Sequence, residues 1–114
     1  MKDNFYEHCR RVVVASHHGV GFDQDYTVRI FLTSCKDGSF SVRGHFEGLH
    51  GNHFPKGARG IRNGAELHKA ICEVSEEVGI EHEIEMEDVV RKVEPLDTGL
   101  ARSLLRVFTP EEDE

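Results

Sequence analysis

Eight histidines stand among 114 residues, and four of them fall in two short stretches, His17-His18 and His50 to His53. Neutral imidazole is a ligand for zinc, copper or nickel, and a carboxylate completes common three-ligand sites. Gly51-Asn52 fits a tight type II′ turn, with glycine at the first central position. Such a turn sets His50 opposite His53 and Leu49 opposite Phe54, and facing imidazoles can share one divalent cation. His45 or Glu47 then supplies a third ligand. The spacing H-x4-H-x2-H matches no strong zinc signature, and surface histidines at turns are common. One reading is therefore a metal-binding protein or metal-dependent enzyme that uses His50, His53, His45 and Glu47, with zinc or another divalent transition metal as cofactor.

Three other groupings carry possible chemistry. His68 and Cys72 lie one helical turn apart, so a thiol and its base can meet. No third orienting group or oxyanion donor accompanies them, and no catalytic residue is assigned. The segment PKGARGIRNG places Lys56, Arg59 and Arg62 ahead of a helix start, where backbone amides can hold an anion, although it matches no phosphate-loop pattern and reads first as a flexible connection. Glu81, Glu83, Glu85 and Glu87 alternate with Ile80, His82, Ile84 and Met86. On a strand these carboxylates form one acidic stripe suited to a basic partner; on a helix they scatter.

The elements that must position these groups centre on residues 26–54. Tyr26, Val28, Ile30 and Leu32 alternate with Thr27, Arg29, Phe31 and Thr33, which marks a half-buried strand. Phe40, Val42, Gly44 and Phe46 alternate in the same way with Ser41, Arg43, His45 and Glu47. A two-residue Asp37-Gly38 loop would set Leu32 beside Arg43. A three-residue loop, Lys36-Asp37-Gly38, with Gly38 left-handed, pairs Leu32 with Val42, Ile30 with Gly44 and Val28 with Phe46. The other face then carries Arg29 by His45 and Phe31 by Arg43, the latter a cation–π pair.

Before this hairpin, Val12-Val13-Val14 predicts a strand from about Cys9 to Ser16, because β-branched residues disfavour a helix. His17 to Gly21 reads as a loop punctuated by glycine. A bulge at Gly48 would turn Leu49 inward and His50 outward. After the hairpin, Asn63 caps a helix over about Gly64 to Val78, with Glu66 as capping-box partner and Gly79 as its stop. Residues 80–84 read as extended and Glu85 to Val93 as a short helix. Asp97 or Thr98 starts a last helix with Ala101, Leu104, Leu105 and Phe108 as its buried stripe.

Strands followed by helices predict an α+β fold: a three-stranded antiparallel sheet, with a short fourth strand allowed, covered on one face by two or three helices. Residues 1–114 fit one compact domain with a flexible acidic tail at about 109–114. No apolar run reaches membrane-spanning length, and Cys9, Cys35 and Cys72 read as free thiols in a reducing compartment, so the cytoplasm is expected. The net charge of −7 is divided unevenly: ten Lys/Arg oppose seven Asp/Glu in residues 1–72, and four oppose fourteen in residues 73–114. An acidic chain is a poor candidate for nucleic acid. The leading expectation is a non-enzymatic, cofactor-free module that binds another protein. Its surfaces are the open sheet face (Arg29, Phe31, Arg43, His45) and the acidic segment (Glu81, Glu83, Glu85). An open face and an edge strand also suit a homodimer.

Overall fold

Val28, Ile30, Leu32 and Val42 are wholly shielded from solvent, while Arg29, Phe31 and Arg43 between them are not. That alternation defines a sheet with one buried face. The computed structural model describes residues 10–21, 24–48, 51–54 and 57–109. Strands β1 (Arg10–Gly21), β2 (Gln24–Ser34), β3 (Phe40–Gly48) and β4 (Gly51–His53) follow one another as an antiparallel meander, and β5 (Ala58–Ile61) pairs with β3 as well. The two short strands thus divide the outer edge of β3: β4 takes residues 46–48 and β5 takes Phe40 and Val42.

The β2–β3 register is the one expected from the faces, with Leu32 opposite Val42, Ile30 opposite Gly44 and Val28 opposite Phe46. The turn is closed by the Cys35 amide donating to the Ser39 carbonyl at 2.9 Å and the Gly38 amide donating to the Cys35 carbonyl at 3.1 Å. Gly38 takes φ +89°, the left-handed conformation that a three-residue loop requires. The Asp37 carboxylate accepts from the Ser39 amide (3.0 Å) and hydroxyl (2.6 Å), so the buried Ser39 is satisfied.

Two sequence expectations about the strands are corrected. His17 to Gly21 is not a loop but the second half of β1, pairing with residues 24–28. Gly19 acts there as a space-maker: a Cβ would lie 2.5 Å from the Tyr26 ring. Tyr26 in turn stacks on Phe46 at 5.4 Å between centroids. A register shift between Val13 and Ala15 leaves both Val14 and Ala15 buried, then restores alternation on the correct faces. The Gly51-Asn52 turn is also absent. Gly48 pairs with Gly51 and Asn52 with Glu47, so Gly51 and Asn52 belong to the ladder, and Gly51 uses its φ of +109° within β4. The expected settings of Leu49 and His50 lie outside the described residues, as do Cys9, Lys56 and the tail beyond residue 109.

Helix α1 (Gly64–Glu77) forms where its signals place it. The Asn63 side chain accepts from the Glu66 amide at 2.9 Å, and Glu66 accepts from the Arg62 amide at 2.8 Å, one residue earlier than a standard capping box. At the other end the Gly79 amide bonds the Glu76 carbonyl and the Ile80 amide bonds that of Ser75, a Schellman stop with Gly79 at φ +78°. Residues 80–84 are not extended: Glu81–Glu83 form one 3-10 turn. Helix α2 (Met86–Val93) follows, and α3 (Thr98–Phe108) is capped by Asp97, which accepts from the Leu100 amide at 2.8 Å. α1 packs on β2, β3 and β5, α2 packs on β1, and α3 bridges the two helices. All three lie on the buried face of the sheet, giving the α+β layering.

α1 meets α3 where Gly64 has no side chain of its own. The Gly64 amide donates to Ser103 Oγ at 2.7 Å, and a Cβ on Gly64 would lie 2.2 Å from the Leu104 nitrogen and the Ser103 carbonyl carbon. Gly64→Ala should therefore lower stability by about 1–3 kcal/mol through overpacking against backbone, outweighing the ~1 kcal/mol that alanine gains in helix propensity. Urea unfolding reads this out, and an unchanged midpoint would mean that the contact carries no weight.

Candidate functional site

The face of the sheet turned away from the helices collects side chains from every second position of three strands. β1 contributes Arg11, Val13, Ser16 and His18; β2 contributes Thr27, Arg29, Phe31 and Thr33; β3 contributes Ser41, Arg43, His45 and Glu47. Among the described residues no helix or strand lies over it. Arg29, Phe31, Arg43 and His45 are placed together here, with Arg29 paired to His45 and Phe31 to Arg43 across the ladder. The cation–π contact is not the expected one. Arg11, diagonally across β1, puts its guanidinium carbon 4.7 Å from the Phe31 centroid, while Arg43 lines the neighbouring groove. Arg29 reaches Glu47 at 4.0 Å; both are well exposed, so this pair contributes about 0–1 kcal/mol.

At the β4 end, His45 Nε2 lies 3.2 Å from Asn52 Oδ1, and its ring stacks on Phe54 at 4.9 Å with planes 9° apart. Phe54 remains 68% exposed. Between β4 and β5, a groove runs along the open edge of β3. One part of about 320 Å³ is lined by Val42, Arg43, Gly44, Phe54, Gly57, Ala58 and Arg59. The adjoining part, about 530 Å³, adds Cys35, Lys36, Asp37, Ser39, Ser41 and Gly60. Gly57 permits the groove: a Cβ there would lie 2.1 Å from the Val42 carbonyl oxygen. Sequence reasoning did not single out Arg11 or Phe54 as site residues, and placed Arg59 only as an anion contact beside a helix. The Arg11 assignment needed the alternation of β1 to be carried across its bulge, and the Arg59 position needed the β3–β5 pairing, for which no local pattern exists.

The four proposed metal ligands are divided. His45 and Glu47 share the open face. His53 is opposite Phe46 on the helix-covered side, with Nε2 3.9 Å from Glu77 Oε2, and His50 lies outside the described residues. Among the described residues no three His, Cys, Asp or Glu side chains converge as a cation site. The acidic segment is likewise not a strand stripe. Glu81 and Glu83 sit on the 3-10 turn, Glu85 precedes α2 and Glu87 is in its first turn; Glu83 approaches His17 at 4.0 Å.

His68 and Cys72 do meet on α1, with Nε2 and Sγ 3.7 Å apart. Burial, reinforced by the Glu76 and Glu73 carboxylates, pushes the thiol above its ordinary value of 9.0, opposite to what a nucleophile requires. Asp37 is displaced the other way: its bonds to the Ser39 hydroxyl and amide, with help from Arg62, hold its carboxyl below the usual 3.8.

No family model, curated protein or solved structure matches the chain. No described helix is long and apolar enough to cross a membrane.

Two titration outcomes follow from these placements. In a Cys9→Ser/Cys35→Ser variant, iodoacetamide should modify Cys72 with a pH midpoint above 9.0 and more slowly at neutral pH than a free cysteine. A midpoint below that value would restore Cys72 as a candidate nucleophile. For Asp37 the folded value is depressed, so its stabilising contribution is present above 3.8 and is lost as pH falls through the lower folded value. Asp37→Asn should accordingly shrink the drop in melting temperature between about pH 5 and pH 2, and an undiminished drop would show that the turn carboxylate is not responsible.

Proposed function

We propose that this protein is a non-enzymatic binding module whose open sheet face docks an acidic region of another protein. The observation behind this reading is an inverted charge placement. The chain is net acidic, yet the one sheet face without a covering element among the described residues displays Arg11, Arg29 and Arg43 around Phe31. Arginine and aromatic residues are the side chains that most often anchor protein interfaces, and a guanidinium on a ring presents both apolar and charged contact. The carboxylates of Glu81, Glu83 and Glu85 sit instead in the helical layer, on the far side of the sheet. The acidic segment is a second surface, suited to a basic contact.

A second copy of this chain is a less suitable occupant of the arginine face. Two-fold packing of open face on open face would oppose like charges. Arginine face on acidic helices would be heterologous and would propagate rather than close. Cys35 and Cys72 are both free thiols, which suits a reducing compartment, and we place the protein in the cytoplasm.

The test uses proteins retained by the chain from an extract of its own host, each re-measured as a purified pair. Binding through this face should weaken by at least about tenfold in Arg29→Glu/Phe31→Ala and fall with added salt, while Glu81→Gln/Glu85→Gln leaves it unchanged. Undiminished binding by the sheet-face variant would remove this reading.

A further inference from the structure

We propose that the groove between the β2–β3 turn and β5 binds a phosphate monoester carried on a planar ring, with the phosphate held by Arg43 and Arg59 and the ring against Phe54. Arg43 and Arg59 line both parts of the groove, and neither has an ion-pair partner among the described residues. Two exposed arginines lining one hollow make its wall positive, which favours an anion there. The carboxylate at the rim does not fill that role. Asp37 lines the hollow, but its carboxylate accepts from Ser39 and lies 3.6 Å from Arg62, so it is already committed to other partners.

The chemistry of the ligand follows from the lining. A guanidinium fork matches two oxygens of a phosphate, and a dianionic monoester has enough oxygens for two forks, whereas one carboxylate satisfies only one. The Ser41 hydroxyl, also on the wall, is a further donor. At the opposite end the Phe54 ring has His45 stacked on one face at 4.9 Å, and the residue is still 68% exposed. A planar ring laid on it would extend that stack, in the offset geometry aromatic pairs prefer. The hollows of about 320 and 530 Å³ fall within the range of small-molecule sites. Gly57 keeps the floor clear, because its backbone rests directly on that of Val42 and Arg43.

This ligand chemistry has two sources, a free mononucleotide or a phosphotyrosine side chain on another protein. Calorimetry separates them with adenosine 5′-monophosphate and N-acetyl-phosphotyrosine amide as probes, each beside its unphosphorylated parent and beside inorganic phosphate. At least one ester should bind at about 1 mM or tighter, and at least about tenfold tighter than its parent and than inorganic phosphate. Arg43→Ala and Arg59→Ala should each cost about tenfold or more, and the lysine variants should recover only part of it. Phe54→Ala should weaken the ester and leave inorganic phosphate unchanged. Binding by the nucleotide alone assigns a free metabolite, and binding by the phosphotyrosine probe assigns a modified partner. Absence of saturable binding by both esters, binding that survives the arginine variants, or equal binding of ester, parent or inorganic phosphate would overturn the proposal. Arg29→Glu/Phe31→Ala should leave ester binding intact, so failure of the sheet-face reading and failure of this one are distinguishable. Thermal melting of every variant confirms that lost binding is not lost folding.

Discussion

The fold depends on one register. Val28, Ile30, Leu32 and Val42 share the buried face only because the β2–β3 loop is three residues long, with Gly38 left-handed at its end. A slip of one residue would set Leu32 beside Arg43 and turn the apolar set of a strand to solvent. Each fully buried aliphatic side chain contributes about 1.5–3 kcal/mol, so exposing even two of them costs more than all the exposed ion pairs of the sheet return. The helices inherit this choice. Leu67, Ala70, Ile71 and Val74 on α1 have a surface to cover because the register presents one. The same choice puts Arg29, Phe31, Arg43 and His45 on the remaining face.

How much of this was legible from residues alone differs from element to element, for physical reasons. The hairpin was legible because two alternating strands and one turn admit only one register that keeps charge away from aliphatic carbon. The helix caps at Asn63, Gly79 and Asp97 were legible because a polar side chain or a glycine answers a local need for hydrogen bonds. Failures came where one residue type serves two purposes. Gly19 read as punctuation, whereas it makes room for Tyr26 from within a strand. Gly51-Asn52 read as a turn, whereas Gly51 uses its positive φ just inside the ladder. Ile80 to Ile84 alternates as a strand would, yet Ile80 is the buried residue that completes the Schellman stop, and this draws the chain into a 3-10 turn.

The candidate site was legible in part. Alternation alone placed four of its side chains on one face. It could not say which arginine reaches Phe31, because a strand has neighbours on both sides and the cross-strand diagonal to Arg11 passes a bulge at Val13–Ala15. Nor could it join Arg59 to Arg43, since β5 pairs with β3 only after β4 has taken the other half of the edge. The expected grouping of the histidines rested on the same kind of local pattern. Their spacing implied a turn, and the actual pairing sends His53 towards Glu77 on the helix side and His45 to the opposite face.

The backbone contact between Gly64 and residues 103–104 bears on how the chain matures. It joins segments 39 residues apart, whereas the meander is closed by neighbouring strands. During synthesis the sheet and α1 are complete before α3 has left the ribosome, so the stripe that α3 will cover stays wet while translation proceeds. Part of the core therefore closes late, when α3 brings Leu100, Ala101 and Leu104 against both other helices. A nascent chain halted between α1 and α3 is an unsealed sandwich, with the aggregation hazard that open apolar surface carries.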